Sequence, residues 1–105
     1  MRVWWLVNRA ETGATEVVFV RSDFPAGKMH ELHRHPNCEE VVYVLQGSGL
    51  HLQDGDPVRV EQGDALYIGR GEWHGFHNDT DRITSLIGVY GGVGSLEEAG
   101  YETVE

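Results

Sequence analysis

Residues 27–47 read Gly27-Lys28-Met29-His30-Glu31-Leu32-His33-Arg34-His35-Pro36-Asn37-Cys38-Glu39-Glu40-Val41-Val42-Tyr43-Val44-Leu45-Gln46-Gly47. His33 and His35 are two apart, and on a strand residues i and i+2 share a face, so both imidazoles point the same way. Pro36-Asn37-Cys38 then breaks the strand. Glu39 and Glu40 open the next one, 41–45, which is apolar on both faces and is therefore expected to be central and covered on both sides. Beyond an intervening hairpin, Gly69-Arg70-Gly71-Glu72-Trp73-His74 supplies a third imidazole. Two imidazoles, one carboxylate and a third imidazole converging in an apolar barrel make a site for a first-row transition metal.

Outward from this stretch the chain is a series of short apolar runs broken by Gly, Pro, Asn and Asp. Residues 3–7, 16–21, 50–53, 58–61, 65–68 and 83–89 read as strands. Asp54-Gly55-Asp56-Pro57 is a hairpin signal between two of them. Phe24-Pro25-Ala26-Gly27 is a turn, because Pro fixes φ and Gly permits a positive one. Only Ser95-Leu96-Glu97-Glu98 looks helical: Ser95 and Glu98 have capping-box spacing, and Gly100 would end a single C-terminal turn. The 14 glycines fit many tight turns. The pattern predicts an all-β sandwich or barrel, one domain over residues 1–105.

The charge balance excludes several functions. Eight Lys and Arg stand against 17 Asp and Glu, a net charge of −9. A phosphate backbone or an anionic membrane would be repelled, so neither nucleic acid nor membrane is an expected partner. The apolar run at 3–7 is shorter than the roughly 7–15 residues of a secretory core. The single cysteine, Cys38, excludes an intrachain disulfide and a cysteine-cluster metal site. A cytoplasmic location is expected.

Two spaced motifs carry a family resemblance. Gly27, five residues, His33-Arg34-His35, four residues, Glu40, six residues, Gly47 resembles the first signature of the cupin superfamily. Gly63, five residues, Gly69-Arg70-Gly71, two residues, His74, three residues, Asn78 resembles the second, with Gly69 where proline is usual, a change expected to loosen the turn. Residues 48–62 between them suffice for one hairpin. The resemblance implies a small antiparallel jelly-roll β-barrel and the metal ligands His33, His35, Glu40 and His74. The six-residue count back from Gly47 selects Glu40 over Glu39. It also implies a homodimer, to which the Trp4-Trp5 strand could contribute, although an ordinary edge strand suits that segment equally.

On that footing one divalent transition metal is expected: Fe, Mn, Ni or Zn. Four protein ligands close a tetrahedral zinc site, whereas an octahedral ion keeps two positions for substrate or O2. The resemblance implies a mononuclear metal-dependent enzyme acting on a small oxygenated molecule, with dioxygenation leading. Lyase, isomerase or cyclase chemistry and a non-catalytic binding module are the alternatives, because pocket walls, not fold, choose the reaction. Among possible wall residues, Phe76 shares the face of His74, and Gln46 shares that of Glu40. His51 alternates with Leu50 and Leu52 and is expected to face away from whatever they pack on. His30 is placed in a loop before the motif, His77 and Arg34 outward, and Cys38 as a small loop thiol.

Overall fold

The computed structural model describes residues 1–104; Glu105, the last residue of the expected unit, lies outside the described residues. Among the described residues ten strands form: β1 (Arg2–Val7), β2 (Val17–Phe24), β3 (Met29–Arg34), β4 (Glu39–Gln46), β5 (Ser48–Gln53), β6 (Val58–Glu61), β7 (Ala65–Ile68), β8 (His74–His77), β9 (Thr84–Gly91) and β10 (Glu102–Thr103). They make two five-stranded sheets, ordered β1-β2-β9-β4-β7 and β10-β3-β8-β5-β6. Every pairing is antiparallel. From β2 onward consecutive strands alternate between the sheets, except at the β5-β6 hairpin, in the manner of a jelly roll.

Two short helices accompany the sheets, α1 (Arg9–Thr12) and α2 (Leu96–Ala99). The second is the expected C-terminal turn, capped by Ser95, whose hydroxyl accepts from the Glu98 N–H. The first departs from the expectation of a single helical turn. Asn8 caps it by accepting the Glu11 N–H at 2.8 Å, and Gly13 closes it with φ 77°. Four residues cannot sustain a helix alone. This one is anchored by the Arg9 N–H to the Gly94 carbonyl at 2.7 Å, just before α2, and by an Arg9–Glu98 ion pair to α2 itself.

The interior holds two apolar clusters. Phe24, Val44, Val60, Phe76 and Leu86 form one, and Val18, Cys38, Tyr90, Val93 and Ala99 the other. Inward side chains come from alternate positions of facing strands, such as Val18 and Val20 on β2. The expectation that β4 is covered on both faces is corrected. Hydrogen bonding does place β4 inside its sheet, between β9 and β7. Its outward residues Val41, Tyr43 and Leu45 nevertheless stay 40–41% exposed. A central strand needs neighbours in the sheet, not a second layer on its outer face. Among the described residues, no helix is long and apolar enough to cross a membrane.

Candidate metal centre

His33 lies on β3, His35 just beyond its end, Glu40 near the start of β4 and His74 at the start of β8. The histidines thus come from one sheet and the carboxylate from the other, across the barrel interior. His33 and His74 are register partners on adjacent strands. All four side chains are buried, each at 8% exposure or less. The three imidazoles can offer nitrogens that all lie within 4.8 Å of one another. Glu40 Oε1 sits 3.0 Å from His74 Nε2 and 3.7 Å from His35 Nε2.

The outer ring nitrogens fix the chemistry of the inner ones. Nδ1 of His33 lies 2.8 Å from the Glu31 carbonyl, that of His35 2.7 Å from the Gly100 carbonyl, and that of His74 3.0 Å from the Glu72 carbonyl. A carbonyl only accepts, so each Nδ1 carries a proton, which leaves Nε2 as the nitrogen able to ligate. His35 Nε2, His74 Nε2 and Glu40 Oε1 are buried without hydrogen-bond partners. Lone pairs therefore face a carboxylate oxygen at close range, an arrangement that needs a proton or a cation between them. Nδ1-tethered imidazoles plus one carboxylate are a donor set that fits a divalent transition metal.

The electrostatics agree. Burial pushes the His33 imidazole down to about 3, so it stays neutral and free to ligate. Burial also pulls on His74, but the short contact to Glu40 and its negative charge outweigh that and move the ring upward. This is the response of a group placed where positive charge is wanted.

The turns that hold these side chains are cross-braced. Gly71 takes φ 72°, which favours glycine, and donates its N–H to the His35 carbonyl at 3.0 Å. Gly69 does not loosen its turn as expected. Its N–H, which a proline would lack, donates to Glu72 Oε1 at 2.8 Å, and the Glu72 N–H returns to the Gly69 carbonyl. Asn78, fully buried, donates to the carbonyls of Phe24, Pro25 and Arg82 and accepts from Thr80.

Beside the histidines and Glu40 opens a cavity of about 170 Å³. Phe76 walls it and packs edge-on against Phe24 at 5.1 Å. Gln46 does not reach it: a register shift between Val44 and Gln46 breaks the alternation, and Gln46 is exposed. His77 and Arg34 lie outside it, as expected; Arg34 pairs with Glu102.

Two further histidines line the cavity that sequence reasoning placed elsewhere. His30 is on β3, not in a loop, and stacks on His33 with ring centres 4.1 Å apart. A bulge between His30 and His33 lets residues three apart share a face. His51 faces inward and is 8% exposed, while Leu50 and Leu52 occupy the other face of β5. Its register partner Phe76, and Phe76's other partner His30, make one inward row across the sheet. Tyr101 also lines the cavity and stacks on His33. The apolar pattern of β5 offered no signal for His51, since its leucines belong to the outer face.

Comparison with known proteins accords with this architecture. The family model of the cupin domain matches residues 20–90. The chain is similar to an oxalate-binding protein of Thermotoga maritima, 33% identical over 72 residues, covering 69% of this chain and 60% of that protein. It is also similar to the transcriptional activator RhaR of Klebsiella pneumoniae, 34% identical over 74 residues, covering 70% of this chain and 26% of the activator. Among solved structures it resembles a polyketide cyclase from Streptomyces resistomycificus, with TM-score 0.82, 25% identity, and 98% of this chain and 70% of the cyclase covered. The chain thus spans 60% or less of the length of these two curated relatives. With two antiparallel sheets wrapped into a jelly roll and a family match across most of its length, the chain belongs to the cupin domain family.

Proposed function

We propose that His33, His35, Glu40 and His74 hold one divalent transition metal, Fe, Mn, Ni or Zn, and that the adjoining cavity presents a small oxygenated molecule to it. The observation that carries this reading is the set of buried, unpartnered Nε2 and Oε1 atoms aimed at one point. When bound, such an ion supplies Lewis-acid or redox chemistry at its open positions. The chain's own contributions are the carbonyl tethers that hold each imidazole in its ligating tautomer and an apolar wall that excludes water.

The reaction class we favour is dioxygenation, with lyase, isomerase or cyclase chemistry as alternatives on the same site. The similar proteins include a polyketide cyclase, an oxalate-binding protein and a transcriptional activator. That range supports keeping a second reading, a non-catalytic binding module, in which the metal only seats the ligand.

Elemental analysis of protein purified without chelators tests the first step. One iron, manganese or nickel per chain is expected if the site is open. His35→Ala should lower metal content at least tenfold while the far-ultraviolet circular dichroism of the barrel is retained, because apolar strands hold the fold. Unchanged metal content would remove His35 from the site. Oxygen uptake by anaerobically Fe(II)-loaded protein, screened with diketones, catechols and thiols, separates the enzyme from the binding module.

We also propose that two copies pair through the outer face of the first sheet. Phe19, Val89, Val41 and Tyr67 stand side by side there in one register row, with Tyr43 and Leu45 exposed further along β4. Two copies each carrying −9 repel overall, so pairing is favoured through this largely apolar row, bordered by Glu39, which accepts from Tyr67, and a second copy offers the same face. The Trp4-Trp5 strand pairs within its own chain, with β2, which supports its reading as an edge strand.

A further inference from the structure

The cavity has a marked charge asymmetry. Among the described residues no Lys or Arg side chain lines it; Glu40 is its one carboxylate, its other polar side chains are imidazoles and hydroxyls, and Met1 is the one chain end among its lining residues. Three neutral imidazoles and one carboxylate around a divalent ion leave a net charge of about +1. A singly charged ligand brings this to zero. A dianion leaves one buried negative charge without a counter-ion, which a low-dielectric site penalises heavily. The cavity volume, about 170 Å³, sets a second limit. A dry cavity of roughly 150 Å³ accommodates benzene. The space therefore takes one ring, against apolar walls that include Phe76, Leu66 and Leu86.

His51 completes the picture. It is only 8% exposed, lines the cavity, and among the described residues makes no hydrogen bond. Its inward row partner is Phe76, two residues from His74 on β8. Burial holds its imidazole below the ordinary value, so the ring is neutral and offers one donor and one acceptor. A neutral ring that lines the cavity and forms no side-chain hydrogen bond within the chain is available to a ligand there as donor or acceptor.

We infer that the cavity selects a one-ring oxygen donor carrying at most one negative charge over a dianionic one, and that His51 orients it by hydrogen bonding. This rests on the metal reading above and gives its substrate class. It also sets this chain apart in ligand from a protein that binds oxalate.

Maltol and oxalate test it, because both bind metals through two oxygens but differ in charge and ring. Calorimetric titration of Ni(II)-loaded protein, with nickel content measured before and after, is expected to show maltol at least tenfold tighter. His51→Leu should weaken maltol at least fivefold with nickel content unchanged, and His51→Gln, which keeps a donor and an acceptor, should recover most of that loss. If the wild type holds no nickel, the metal reading falls and takes this inference with it. If nickel is held at one per chain but oxalate binds as tightly as maltol, or neither binds, this inference alone is overturned. Equal maltol affinity in His51→Leu removes the role of His51.

Discussion

A histidine ligates only with the correct nitrogen free, and here a backbone carbonyl settles that for each ring. The carbonyl of Gly100 is the least foreseeable of these, since it lies 65 residues from His35 in the chain. Among the described residues Glu40 has no Lys or Arg to neutralise it; Arg34 is held by Glu102. Glu40→Gln keeps the shape but removes the charge, so metal affinity should fall at least tenfold in a competition titration with a coloured chelator. Cys38 is the contrasting case. It is 1% exposed in an apolar cluster, and burial, with the charge of Glu40 behind it, pushes the thiol up to about 11. At pH 8 it stays protonated and shielded, so a disulfide reagent should label it only after denaturant is added. Rapid labelling of the native protein would contradict this packing.

The elements owe their placement to a few irregularities in otherwise regular strands. The bulge in β3 turns both His30 and His33 inward, and that between Val44 and Gln46 releases the end of β4 from the interior. Loops are secured by side chains acting as backbone substitutes. Asn78 is the clearest example, since its amide ties the turn after β2 to the turn before β9. Asn78→Ala would leave the buried Phe24 carbonyl without this donor, at about 1–3 kcal/mol, would break the half-buried bonds to Pro25 and Arg82, and would open a void at a fully buried side chain. A loss of at least about 3 kcal/mol in urea denaturation is expected, with the metal site intact in the folded fraction. Asn8 contributes less, and removing its cap on α1 should cost about 1 kcal/mol.

At the scale of the whole molecule, the two sheets divide their duties. The second sheet carries the histidines, the first contributes Glu40, and the cavity between them draws its apolar wall from both. The outer face of the first sheet is then free to meet another copy. Val41→Lys, at the middle of the exposed row, should weaken self-association at least tenfold in sedimentation velocity while leaving the metal content unchanged. A wild-type protein that sediments as a monomer at tens of micromolar would refute the pairing.

The sequence by itself determined the all-β class and most strand positions, and its likeness to the two cupin signatures pointed to His33, His35, Glu40 and His74 as one group. The reason is local: strand period and motif spacing fix which side chains share a face, and turn residues mark where each strand stops. Only the tertiary structure decided that His30 and His51 line the cavity, that Gln46 does not, and that the outer face of β4 is bare. Those outcomes depend on bulges and on which face of each sheet turns inward. A one-residue shift in register reverses every side chain on a strand, and that register is set by pairing with strands remote in the chain.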